Sequence, residues 1–238
     1  MGFPFSRTLL GAAAVASLGT AVIWSKRGER EGTARGTTPA EPSADVERAA
    51  RRFLLYALLP AWVVPGFGDY LCHRAAKIER TSGTHESVTH LLMIATSGVG
   101  VLTGLICEID PSSLIVLAAS ALAHEGVVLW DVAYAARLRP PSATEQHLHS
   151  FLEVLPFASL AFTGCLHPGA VAALMKKPVP TRFLLRRKAN LSLPYILSLG
   201  SLIATLVVIP HLEEFIRCYR VDRTIFPHLR PIDELPGA

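Results

Sequence analysis

Six of the nine histidines in this 238-residue chain lie between residues 73 and 149, and carboxylates accompany them at a fixed interval. Asp69 precedes His73 by four residues, Glu86 precedes His90 by four, and Glu145 precedes His149 by four, with Glu153 another four along. Four residues is about one helical turn, so each set projects from a single face of its helix. His124 and Asp131, seven apart, return to nearly one face, with Glu125 beside the histidine. Imidazole together with carboxylate is the donor set that iron, zinc or manganese takes. The same groups in series are also the parts of a proton relay.

The segments that carry these residues are strongly apolar. Half the chain is hydrophobic, 18% is charged and the mean hydropathy is +0.37, a balance that belongs to a polytopic membrane protein rather than a soluble domain. Apolar runs occupy residues 8–24, 53–67, 88–107, 113–135, 151–166 and 193–211, and a spanning helix needs about 20 such residues. The fold class expected is all-α, a polytopic transmembrane helical bundle of about six helices. Five of these, with a core four-helix up-and-down arrangement, follow an N-terminal anchor or signal. Residues 1–25 read as the signal anchor, 26–47 as a flexible basic and polar linker, 48–212 as the bundle and 213–238 as a polar C-terminal tail. Pro60 and Pro65 should kink the second helix, Gly83 should stop it, and Gly100 with Gly104 should allow close packing of the third.

The net charge of +4 does not point to nucleic acid, because the basic residues flank the apolar runs and serve membrane orientation. Membrane lipids are the expected partners, with a hydrophobic small molecule as substrate. Cys72, Cys107, Cys165 and Cys218 form no CxxC pair and read as small apolar packers.

An up-and-down bundle brings the polar sets to one depth. The second helix carries its set at its end, the third at its beginning, the fourth in its latter half and the fifth in its first two turns. Asp69, His73, Glu86, His90, His124, Asp131, His149 and Glu153 are therefore the expected metal ligands, with Glu125 and Glu153 as acid–base groups. Some of these residues also have plainer roles. Glu86 and Glu145 suit first-turn capping, Ser142 with Glu145 makes a capping box, and His85 and His147 suit the interface. His167, His211 and His228 are expected to lie apart from any common site. The spacing matches neither the Glu-x-x-His pairs of ferritin-like bundles nor the HxxHH boxes of membrane desaturases.

Three stretches, "VPGFGDYLCHRAAKIERTSGTHESVTHLLM", "AHEGVVLWDVAYAARLR" and "TEQHLHSFLEVLPF", carry spaced D-x3-H-R, E-S-x2-H, H-E-x4-W-D and E-Q-H-x-H-S-x2-E elements. Over roughly residues 55–160 they resemble a family of bacterial integral membrane proteins without an established activity, whose members are often labelled diguanylate cyclase. The GG[DE]EF loop of such a cyclase does not occur in this chain. The resemblance implies a multi-pass protein of the bacterial inner membrane and supplies no reaction. The expected function is a divalent-metal enzyme (iron, zinc or manganese), an oxidoreductase or hydrolase acting on a lipid-like substrate. The alternatives are a proton-coupled transporter or relay, and a structural or sensory subunit.

Overall fold

Ser43 opens the first helix by accepting the Val46 N–H on its hydroxyl at 3.4 Å, with Asp45 and Glu47 in the first turn where acids complement the helix dipole. The computed structural model describes residues 43–175, 183–189 and 192–225; the expected anchor and nearly all of the linker fall outside the described residues. The linker's last residues, expected to be flexible to 47, are helical from Ala44 because this cap is present.

Helix α1 spans Ala44–Ala76. Within it Leu54–Leu58 is a π turn in which the Leu59 N–H reaches back five residues to the Leu54 carbonyl. In that register the Leu55 carbonyl faces position 60, where proline has no N–H. The Tyr195 hydroxyl of the last helix donates to that carbonyl instead, so the proline is accommodated by a cross-helix bond. Lys77, at φ 53°, ends α1, and a 3₁₀ turn at Ile78–Arg80 follows.

Gly83 is therefore not the stop of this helix, as expected, but the first residue of the next. Its φ of +57° suits glycine, and a Cβ there would lie 3.0 Å from Asp222 Oδ1. Asp222 accepts the Thr84 N–H at 3.1 Å, so a carboxylate from another helix caps this N-terminus. Helix α2 spans Gly83–Ile106, α3 Pro111–Ala135 and α4 Ala143–Leu166. Helices α3 and α4 both start in capping boxes, Asp110 with Ser113 and Ser142 with Glu145. The short α5 is Pro168–Met175. Helix α6 runs through Leu193–Ile203, a π turn at Ala204–Val208 and Ile209–Ile225.

Helix α2 lies between α3 and α6, and α1 and α3 both contact α4. The expected close approach occurs at Gly100, where a Cβ would stand 2.7 Å from Ser120 Oγ. That hydroxyl donates to the Thr96 carbonyl at 2.6 Å. Residues 183–189 run along the far end of α2. Arg186 accepts from the Glu108 N–H and Ile106 from the Lys188 N–H, each at 2.8 Å. Arg51 and Lys188 line one cavity at that end. Burial and the neighbouring Arg51 charge hold the Lys188 ammonium below its ordinary range.

Polarity is arranged inside out. Val64 and Leu197 are 71% and 67% exposed, whereas His73, Glu86 and Glu214 are fully buried. An apolar exterior around a polar interior is stable in hydrocarbon and not in water. Five helices, α1 to α4 and α6, are long and apolar enough to cross a membrane, and no strand occurs among the described residues. The expected helical bundle is what forms.

Candidate metal centre

The alternating directions of the helices bring the C-terminal turns of α1, α3 and α6 together with the N-terminal turns of α2 and α4. Asp69 and His73 come from α1, Glu86 and His90 from α2, Asp131 from α3, Glu145 and His149 from α4, and His211 and Glu214 from α6. Each of these except the half-buried His149 is at most 4% exposed. His73 and Glu86 are three residues from their helix ends, so at 1.5 Å per residue the cluster begins about 5 Å inside the bundle.

The arrangement of His73 and His90 orders the rest. Their rings stack at a centroid separation of 4.4 Å, only 9° from parallel. Glu214 lies across both: the Nδ1 of His73 is 3.2 Å from Oε2, and that of His90 is 2.9 Å from Oε1. A carboxylate accepting from Nδ1–H fixes the tautomer and turns the Nε2 lone pair outward, which is how metal-binding histidines are oriented. The Nε2 atoms of both rings are buried and make no hydrogen bond of normal geometry, and neither does Asp69 Oδ1.

Oxygen atoms surround those nitrogens. His73 Nε2 lies 3.4 Å from Asp69 Oδ1, 3.3 Å from Glu145 Oε1 and 3.8 Å from Glu86 Oε1. His90 Nε2 is 3.6 Å from Asp131 Oδ2, and His149 Nε2 is 2.8 Å from Asp69 Oδ1. Ligands held about 2.0–2.2 Å from a metal stand about 2.8–3.6 Å from one another in octahedral and tetrahedral shells. Asp69, His73, Glu145 and His149 each offer one atom within 4.8 Å of the others; so do Asp69, His90 and His211, and so do His73, Glu86 and His90. These buried groups could hold a metal ion.

Arg139, in the turn between α3 and α4, closes the acidic side. Its Nη2 is 2.5 Å from both Glu86 Oε1 and Glu145 Oε1, and its Nη1 is 2.9 Å from Glu145 Oε2. Burial alone would lower its pKa, but the bonds to Glu145 and Glu86 reverse this and hold the guanidinium firmly charged. The Ser82 hydroxyl also donates to Glu86, and the Thr89 hydroxyl donates to Asp131.

Not every expected residue is placed to share an ion. Among the described residues His124, Asp131 and Glu153 belong to none of the groupings close enough to share an ion, although Asp131 borders His90. His124 lies deeper, its Nδ1 2.9 Å from Ser97 Oγ and 3.3 Å from the Met93 carbonyl. Its ring also lies beside the Leu152 carbonyl, which Pro156 leaves without a helical partner. This is a structural tie between α2, α3 and α4. Glu153 stands within Coulombic reach of Glu125 and His149, and Glu125 Oε2 is buried without a hydrogen bond. His147 is exposed against Phe151, and His85 stacks on Tyr134 at 3.7 Å.

Four members of the cluster are not among the expected ligands. Glu145 caps α4 and also belongs to the cluster. Arg139 was hidden in a proline-rich turn. His211, expected to lie apart, and Glu214, expected in a polar tail, both stand on α6, which continues to Ile225. The missed signal was "HLEE", where His211 and Glu214 share a helix face at a spacing of three. His211 Nδ1 is 2.8 Å from the Val207 carbonyl one turn back.

Asp69, His90 and His211 also line one end of a 320 Å³ cavity whose walls include Leu59, Val63, Met93 and Val207. It shares Leu59, Trp62, Ser97, Val101 and His124 with a 720 Å³ cavity that reaches Arg51 and Lys188 at the opposite end. No protein-family model, curated protein or solved structure matches the chain, so the resemblance over residues 55–160 rests on the motifs alone and the candidate centre on its geometry.

Proposed function

We propose that the chain is a multi-pass metalloenzyme of the bacterial inner membrane, binding a divalent iron, zinc or manganese ion just beneath one face and acting on a lipid-like substrate. The observation that carries this reading is the pair of stacked imidazoles clamped by Glu214, with buried, unpartnered Nε2 atoms turned toward carboxylate oxygens. Metal bound there would supply Lewis acidity and a nucleophilic water, or redox chemistry where the ion is iron or manganese. The remaining work falls to side chains. Glu214 orients His73 and His90; Arg139 holds Glu86 and Glu145 in place. Glu125 and Glu153, expected as acid–base groups, stand near each other, with Glu153 also near His149, and are the residues to hold and release a proton. The apolar cavity ending at Asp69, His90 and His211 supports a hydrophobic substrate that is held with its polar end toward the cluster.

The test is elemental analysis of the full chain purified in detergent. About one or more divalent ions per chain are expected, falling by half or more in His73→Ala and His149→Ala and unchanged in His147→Ala, since ligand loss and metal loss are coupled. Less than about 0.2 ion per chain in the parent, unaltered by the ligand variants, would discard the reading.

A further inference from the structure

Resting on that reading, we infer that the cluster is a two-cation centre bridged by Asp69. One position has four donors, Asp69, His73, Glu145 and His149; the other has three, Asp69, His90 and His211, and opens on the apolar cavity. The two sets share only Asp69, whose Oδ1 is buried without a hydrogen bond of normal geometry and which faces His73 at 3.4 Å and His149 at 2.8 Å.

Charge supports the same count. Asp69, Glu86, Asp131, Glu145 and Glu214 are five buried carboxylates, and Arg139 is the guanidinium among them. With the imidazoles neutral, as metal binding requires, four net negative charges remain. Uncompensated charge of that size is not sustained inside an apolar bundle, and two divalent cations cancel it.

The two positions differ in what they can do. Four protein donors fill the shell of a tetrahedral ion, whereas three leave a coordination position for water or substrate. The three-donor set is the one that lines the 320 Å³ cavity between α1, α2 and α6. Within the cavity, apolar walls end at Asp69, His90 and His211 on the cluster side, and Ser97 and His124 line the part shared with the larger cavity. The class of ligand that fits is an aliphatic chain carrying one Lewis-basic oxygen, its oxygen on the open position and its chain along Leu59, Val63, Met93 and Val207. The His211 ring is already aimed, because Val207 accepts from its Nδ1 at 2.8 Å and leaves Nε2 for an ion.

Manganese(II) reconstitution of the detergent-purified full chain tests this without any mutation. Two ions per chain and an exchange-coupled multiline paramagnetic resonance spectrum are expected, because ions bridged by one carboxylate lie about 3.5–4 Å apart. His211→Ala should then bind one ion and show an uncoupled six-line spectrum, and decanol should perturb the coupled spectrum of the parent. One ion with an uncoupled spectrum in the parent would overturn the two-cation centre and leave a single-metal enzyme standing. No bound ion would overturn both. A coupled spectrum indifferent to decanol would overturn the assignment of the cavity as the substrate side.

Discussion

Two carboxylates brought together inside an apolar bundle repel each other unless a cation lies between them, and for Glu86 and Glu145 that cation is Arg139. Its planar guanidinium reaches both acids at once, which an ammonium cannot do. Arg139→Met removes one partner from a buried ionic set and leaves the acids facing each other, so a loss of about 3–5 kcal/mol is expected. Arg139→Lys keeps the charge without the fork and should fall between. Thermal unfolding of the purified protein in detergent measures both, and a methionine variant as stable as the parent would mean that the arginine does not hold the acids. The same scale separates residues that orient from residues that react. Glu214 touches the Nδ1 atoms of His73 and His90, whereas Glu153 lies to one side, near His149 and Glu125.

At the scale of the helices, the centre depends on α2 keeping its register against α3 and α6. Ser120 approaches the α2 backbone at Gly100, where a Cβ would lie 2.7 Å from its Oγ, while nothing lies within 4 Å of a Cβ at Gly98. Gly100→Leu should therefore separate α2 from α3 and lower the unfolding temperature by several degrees, a cost of about 1–3 kcal/mol from overpacking. Gly98→Leu, adding the same bulk in open space, should change little. Equal effects in that comparison would show that close packing at Gly100 is unimportant.

The helices were legible in the sequence because long apolar runs and cap residues are local signals. Helical spacing likewise placed Asp69 with His73, Glu86 with His90 and Glu145 with His149. What it did not reveal came from two sources. Proline at 210 and the charged "EEFIR" made the end of α6 look like a tail, yet a π turn at Ala204–Val208 precedes the proline and Glu214 is buried by partners on other helices. Arg139 lies in a turn, where no periodicity points inward. The depth of His124 was equally hidden, since helical phase gives direction around an axis and not proximity to a particular neighbour.

For the whole molecule, the bundle turns apolar side chains outward along α1 to α4 and α6 and concentrates ionisable groups at one end. The opposite end carries Arg51 and Lys188 together with Glu47 and Glu108 around a larger cavity, and the apolar space between the ends leads to the carboxylate-rich one. Such an interior must balance its carboxylates either with protons on the imidazoles or with bound cations. The two solutions differ in a directly observable quantity, the atoms surrounding a metal. X-ray absorption at the metal edge of the purified full-length protein tests this most directly. The account predicts a shell of nitrogen and oxygen at about 2.0–2.2 Å, with the outer-shell pattern of several imidazoles. Protein without bound metal, or a shell dominated by sulfur at about 2.3 Å, would contradict it.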